Sequence, residues 1–129
     1  MVCEADLGSL SLKKLTFKET GEEGKNSLDY DFNLKAAATE IVDEILSVSW
    51  DLSFVLKSLF TVEAKYEMYV IWDKKQGRKI DTGRIVQETG LPVLSEFSLL
   101  LALLTKAGGG IPLAVQPEDL LERAGFSIK

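Results

Sequence analysis

A chain of 129 residues, 46% hydrophobic and 27% charged, holds enough apolar material for one core without metal or disulfide staples. Its net charge of −5 and pI near 4.8 argue against a general nucleic-acid binder, because phosphate binding is built from clustered Lys and Arg. Cys3 is the one cysteine and histidine is absent, which excludes an internal disulfide, a cysteine-based zinc site and any Ser-His or Cys-His nucleophile.

In chain order, Met1 to Ser9 lacks the basic start and apolar run of a secretory signal, so a cytoplasmic address is expected. From Leu10 to Thr20 the apolar residues change phase. Leu10 and Leu12 stand on even positions, Leu15 and Phe17 on odd ones, and a strand with one extra residue at Lys13-Lys14 accounts for it as a bulge. These lysines, like Lys74-Lys75 with Arg78 and Lys79, read as solvated charges. Gly21 to Asn26 is a polar turn. Leu28 to Ala36 alternates without error, with Leu28, Tyr30, Phe32, Leu34 and Ala36 on one side, and predicts a half-buried antiparallel strand. Ala37 to Glu44 stays open between a helical turn and an extended continuation, since no Gly or Pro decides it.

Ile45 to Leu56 and Phe60 to Trp72 alternate again, joined by Lys57-Ser58, a two-residue connection of the hairpin kind. Four strands in succession with short turns predict an antiparallel meander or a near relative. On the opposite, mostly polar side, Val55, Tyr69 and Ile71 are apolar, as ordinary surface or as a docking patch.

Asp73 to Gly83 reads as a charged loop and Arg84 to Glu88 as a helical turn ended by Gly90. The main helix then runs from Pro92, whose missing N–H costs nothing at a first position, to about Ala107, with Gly108-Gly109-Gly110 as its stop. On a helical wheel its apolar arc covers roughly 200°, about twice what seating on one sheet requires. Leu99 and Leu103 supply the excess and are expected in a subunit interface. Beside them Ser95, Ser98, Ala102 and Thr105 form a small-residue stripe that permits close approach of another helix. Pro92 to Ala107 is too short to span a bilayer and Glu96 and Lys106 interrupt it, so no membrane insertion is expected. A second helix from Pro117 to Ala124 carries Glu118 and Asp119 at its start, Arg123 in its last turn and Gly125 as stop. The expected fold is α+β: one domain over 1–129, a four-stranded antiparallel sheet within about 8–72, and one long and one short C-terminal helix, at about 92–107 and 117–124, on one face.

With that order of elements, the chain resembles the SecB export-chaperone family. The crossing Gly109-Gly110-Ile111-Pro112-Leu113-Ala114-Val115-Gln116-Pro117, followed by Leu120, is similar to that family's glycine, proline and leucine linker between its two helices. The long second strand running through Ala36 to Asp43 into the third fits as well. Two departures stand out. Leu94-Ser95-Glu96-Phe97-Ser98 keeps a single aromatic where the family's long helix opens with several. The sequence also ends at Gly125-Phe126-Ser127-Ile128-Lys129 without the flexible basic tail that touches the translocase motor, which bears on the export-specific partner.

The resemblance implies an ATP-independent holdase that assembles as a dimer or dimer of dimers. Such a protein binds non-native polypeptides in apolar helix–sheet grooves and needs no cofactor, metal or catalytic residue. Candidate client-binding residues are Trp50, Phe54, Tyr66, Met68 and Phe97, with Ile111 and Leu113 on the crossing. Plain core packing is the alternative for each, above all for the strand residues on the alternating inner face. Asp29, Asp31, Asp51, Glu63 and Glu67 resemble the acidic sheet surface on which the family docks its motor ATPase, and are equally what any soluble sheet shows. A small-molecule enzyme is disfavoured. Asp29 and Asp31 share one strand face, but nothing apolar encloses them to shift a pKa, and the glycine run follows a helix instead of leading into one as a phosphate loop would. The second reading is a dedicated module or adaptor of the same fold serving one partner, for example an antitoxin-linked one.

Overall fold

The computed structural model describes residues 3–19, 30–42, 44–56, 60–72, 82–107 and 113–125. Four strands, β1 (Cys3–Glu19), β2 (Tyr30–Val42), β3 (Ile45–Leu56) and β4 (Phe60–Trp72), are followed by a long helix α1 (Thr82–Ala107) and a short one α2 (Pro117–Arg123). They form one antiparallel sheet in the order β1-β4-β3-β2, with both helices on one face. The α+β expectation therefore holds, while the simple meander does not. Only β2, β3 and β4 run as a meander; β1 lies beside β4 at the far edge, which makes the sheet a Greek key.

Alternation sets the two faces. Leu46, Val48, Trp50, Leu52, Phe54 and Leu56 of β3 are all buried, and so are Phe60, Val62, Ala64, Tyr66, Met68, Val70 and Trp72 of β4. A ladder of rings crosses one end of this face, Tyr30 on Phe54 with centroids 4.9 Å apart, Phe54 on Phe60 at 6.1 Å and Phe60 on Phe17 at 5.4 Å. The region left open between helix and strand is strand through Val42. Glu44 then turns the chain with φ of 65°, a left-handed conformation usually given to Gly or Asn, and its carbonyl accepts the Trp72 N–H at 2.8 Å.

The long helix starts ten residues before the expected Pro92 and runs through both Gly90 and Pro92. A buried stripe explains this correction. Ile85, Thr89, Val93, Phe97 and Leu101, spaced by four, all lie against the sheet or α2, so tertiary burial outweighs the local cost of a proline inside the helix. Thr89 is buried, and its hydroxyl donates to the Ile85 carbonyl at 2.6 Å. At this length α1 is long and apolar enough to cross a bilayer, so the expectation that it is too short does not hold. Its buried stripe is that of a helix packed on its own sheet.

α2 packs on α1 and on β2, burying Leu120 and Leu121. Arg123 seals the contact from above, its guanidinium 4.6 Å from the Tyr30 ring centroid and donating to the Tyr30 carbonyl at 3.3 Å. The helix ends as expected, with Gly125 at φ of 94°.

Candidate functional site

β1 pairs with β4 in a broken register. Asp6 faces Tyr69, the next pair is Ser11 with Glu67, and a second shift falls between Leu12 and Lys14, where the sequence pattern places the bulge. These two irregularities keep Leu12, Leu15 and Phe17 on the α1 side of the sheet in spite of their changed phase, opposite Tyr66, Ala64 and Val62. Between this edge and α1 lies a groove of about 330 Å³ lined by Leu10, Leu12, Tyr66, Glu96, Leu99, Leu100 and Leu103.

The groove is lined by leucines, with Glu96 and Tyr66 as its polar side chains. Leu99 and Leu103 are 57% and 56% exposed, and Leu12 and Leu15 of β1 are exposed beside them. Such leucines normally mark a surface that something covers. Tyr66 is nearly buried in the floor; burial, with the Glu96 carboxylate nearby adding to it, pushes its phenol up to about 12, so it stays a neutral hydrogen-bonding group at every physiological pH.

The sequence-predicted client residues fare differently. Tyr66 lines the groove. Trp50, Phe54 and Phe97 are 0% exposed and Met68 is buried, because the helices cover the inner sheet face that holds the strand residues and Phe97 is in the buried stripe of α1. They belong to the core, and Phe32 and Phe97 pack ring to ring there at 5.8 Å. The Trp50 indole N–H is buried with no hydrogen-bond partner among the described residues. Leu113 is half-buried against the core and Ile111 lies outside the described residues.

Two residues of the small-residue stripe of α1, Ser98 and Thr105, are already taken up by the segment that leads into α2, which corrects their reading as part of a seat for another helix, while Ser95 stays exposed. Ser98 donates to the Val115 carbonyl, and Thr105 donates to the Leu101 carbonyl at 2.9 Å while accepting the Leu113 N–H at 2.8 Å. Residues 113–115 thus lie along α1 and lead into α2. What sequence reasoning missed is the β1 wall, Leu10 and Leu12. Its signal was present in the phase change, but only the sheet order places this strand beside α1.

On the outer face the expected acids stand among bases. Asp31, Asp51 and Glu63 are exposed and Glu67 half-buried on it, while Asp29 lies outside the described residues. In register, however, Lys14 faces Lys65, Lys65 faces Asp51 and Asp51 faces Lys35, one row across all four strands. Glu63 and Glu67 flank Lys65 on the same strand, so acids and bases are interleaved as in a solvated ladder. A shallow hollow of about 410 Å³ over this row is lined by these charges with Thr16, Asn33 and Ser53. Among the described residues no three His, Cys, Asp or Glu side chains cluster to hold a metal.

The fold is that of SecB-like chaperones. The SecB-like chaperone Rv1957 of Mycobacterium tuberculosis, solved in complex with a ChAD peptide from the antitoxin HigA1 (Rv1956), superposes with a TM-score of 0.67 over 88% of each chain, at 12% sequence identity. By sequence, no family model and no curated protein matches the chain.

Proposed function

We propose that this protein is a chaperone-like binder of extended, non-native polypeptide segments, acting in the cytoplasm without ATP or cofactor, and that the β1–α1 groove receives the segment. The observation that carries the reading is the groove itself: open leucines on both walls, a neutral tyrosine in the floor, and no need for a catalytic group. Side chains of this kind fit varied apolar sequences by shape, not by a fixed hydrogen-bond pattern. The SecB-like fold supports it, and so does the peptide-bound state of the mycobacterial chaperone.

That complex equally favours a second reading, a module dedicated to one partner such as an antitoxin. The two readings differ in client range. A general holdase suppresses aggregation of several unrelated unfolded proteins at near-stoichiometric amounts; a dedicated module protects one partner and leaves the others to aggregate. If neither the unrelated proteins nor an extended apolar peptide is bound, the proposal fails.

Leu99 and Leu103 are proposed to serve also in self-association, as a dimer or dimer of dimers. Covering the exposed 57% and 56% of two such leucines contributes about 2 to 3 kcal/mol per helix. A Leu99→Lys, Leu103→Lys variant should therefore lose mass in light scattering while keeping its circular dichroism; an unchanged mass sinks the interface. Docking of an export motor ATPase on the outer face is a separate proposal, tested by whether the isolated motor binds this protein and loses binding in an Asp51→Lys, Glu63→Lys variant.

A further inference from the structure

We infer that Ser9 is a positioning residue for the groove, holding β1 in the bulged register that brings Leu10 and Leu12 to the α1 side. The inference rests on the groove reading above. Between the pairs Asp6–Tyr69 and Ser11–Glu67, four residues of β1, Leu7 to Leu10, stand against the single residue Met68 of β4. Within this excess Ser9 reaches back to β4: its Oγ accepts the Tyr69 N–H at 2.8 Å, across 60 residues of sequence.

The register explains why this matters. If the pairing of Cys3 to Asp6 continued without interruption, Leu10 would fall opposite Lys65 and Leu12 opposite Glu63. Both of those positions belong to the solvent face, so the groove would lose its β1 wall. In the observed register Leu12 faces Tyr66, and Leu10 and Leu12 line the groove with Leu99, Leu100 and Leu103. Among the described residues β1 is an edge strand, paired with β4 on one side only, so no second described strand holds the bulge in place. The Ser9 hydroxyl ties the bulge to β4.

The test compares wild type, Ser9→Ala and Ser9→Thr by amide hydrogen exchange at Tyr69 and by anisotropy with a fluorescein-labelled extended peptide of leucine, tyrosine and glycine. Circular dichroism and melting temperature serve as the folding check. Ser9→Ala should exchange its Tyr69 amide faster and bind the peptide about 3- to 10-fold more weakly, the scale of one lost hydrogen bond. It should melt close to wild type, and Ser9→Thr, which keeps the hydroxyl, should restore both exchange and affinity. If wild type binds the peptide and Ser9→Ala binds it equally well, the positioning role is overturned and the groove reading stands. Unchanged Tyr69 exchange in Ser9→Ala overturns the latch itself, and a wild-type protein that binds no peptide removes the groove reading and this inference with it.

Discussion

The two ends of the inner sheet face are built from similar residues and finished differently. On the β2 side, α2 and residues 113–115 close over the sheet. Leu120, Leu121, Phe32, Leu34 and Phe97 are buried there, and Arg123 caps Tyr30 from outside. On the β1 side no second helix arrives among the described residues. Leu12, Leu99 and Leu103 remain exposed around Tyr66, although they are as apolar as their buried counterparts. Apolar character alone therefore does not distinguish core from open surface in this chain. The distinction comes from where the short helix docks, and that is decided by a linker tied to the hydroxyls of Ser98 and Thr105.

The contrast is open to direct attack. The largest effect belongs to the closed side, where Phe97→Ala should lower unfolding stability by about 3 to 5 kcal/mol in denaturant titration, because a fully buried ring leaves a cavity. Leu103→Ser on the open side should stay within about 0.5 kcal/mol in the monomeric chain and lose peptide affinity instead. Equal losses of stability at the two positions would erase the distinction.

Tyr66 stands at the boundary and offers a pH test. Its folded pKa of about 12 lies above the ordinary value of 10.0, so the fold favours the protonated phenol. Its contribution is complete below pH 10 and is lost as pH rises toward 12, since there the unfolded chain releases the proton first. The alkaline fall of the urea midpoint should thus be shallower in Tyr66→Phe than in wild type.

A small gain in stability is expected where the helices cross on the closed side. A Cβ added at Gly90 would meet Leu121 Cδ1 and Val86 Cγ1 at 3.6 Å, ordinary contact distance. Gly90→Ala should accordingly stabilise the protein by about 0.5 to 1 kcal/mol through helix propensity, raising the melting temperature. A fall would mean that the α1–α2 contact is tighter than this spacing implies.

Much of this was legible in the residues. The strict alternation of Ile45 to Leu56 and Phe60 to Trp72 marked the inner face, and the phase change after Leu12 marked a bulge. Pro117, Glu118, Asp119 and Gly125 bounded α2. Local signals misled where packing overrode them. Gly90 and Pro92 read as punctuation, yet the stripe Ile85, Thr89, Val93, Phe97 and Leu101 carries the helix straight through. Glu44 holds a left-handed turn with no glycine to announce it, and Ser98 and Thr105 passed for an empty seat because their partners lie up to 17 residues away.

The candidate site divides in the same way. Leu99 and Leu103 were recognisable as surplus leucine on a helix, since helical periodicity is a local property and an apolar arc wider than one contact needs explaining. Trp50, Phe54, Met68 and Phe97 were equally recognisable as apolar, but whether they are covered depends on elements far along the chain. By itself the sequence determined which residues share a face and where most elements end, because those follow from side-chain period and backbone preference within a few residues. Only the tertiary structure decided that β1 crosses to the β4 edge, that α2 closes one side, and that the other is left as a groove, because long-range pairing and docking choose among apolar surfaces that local chemistry leaves equivalent.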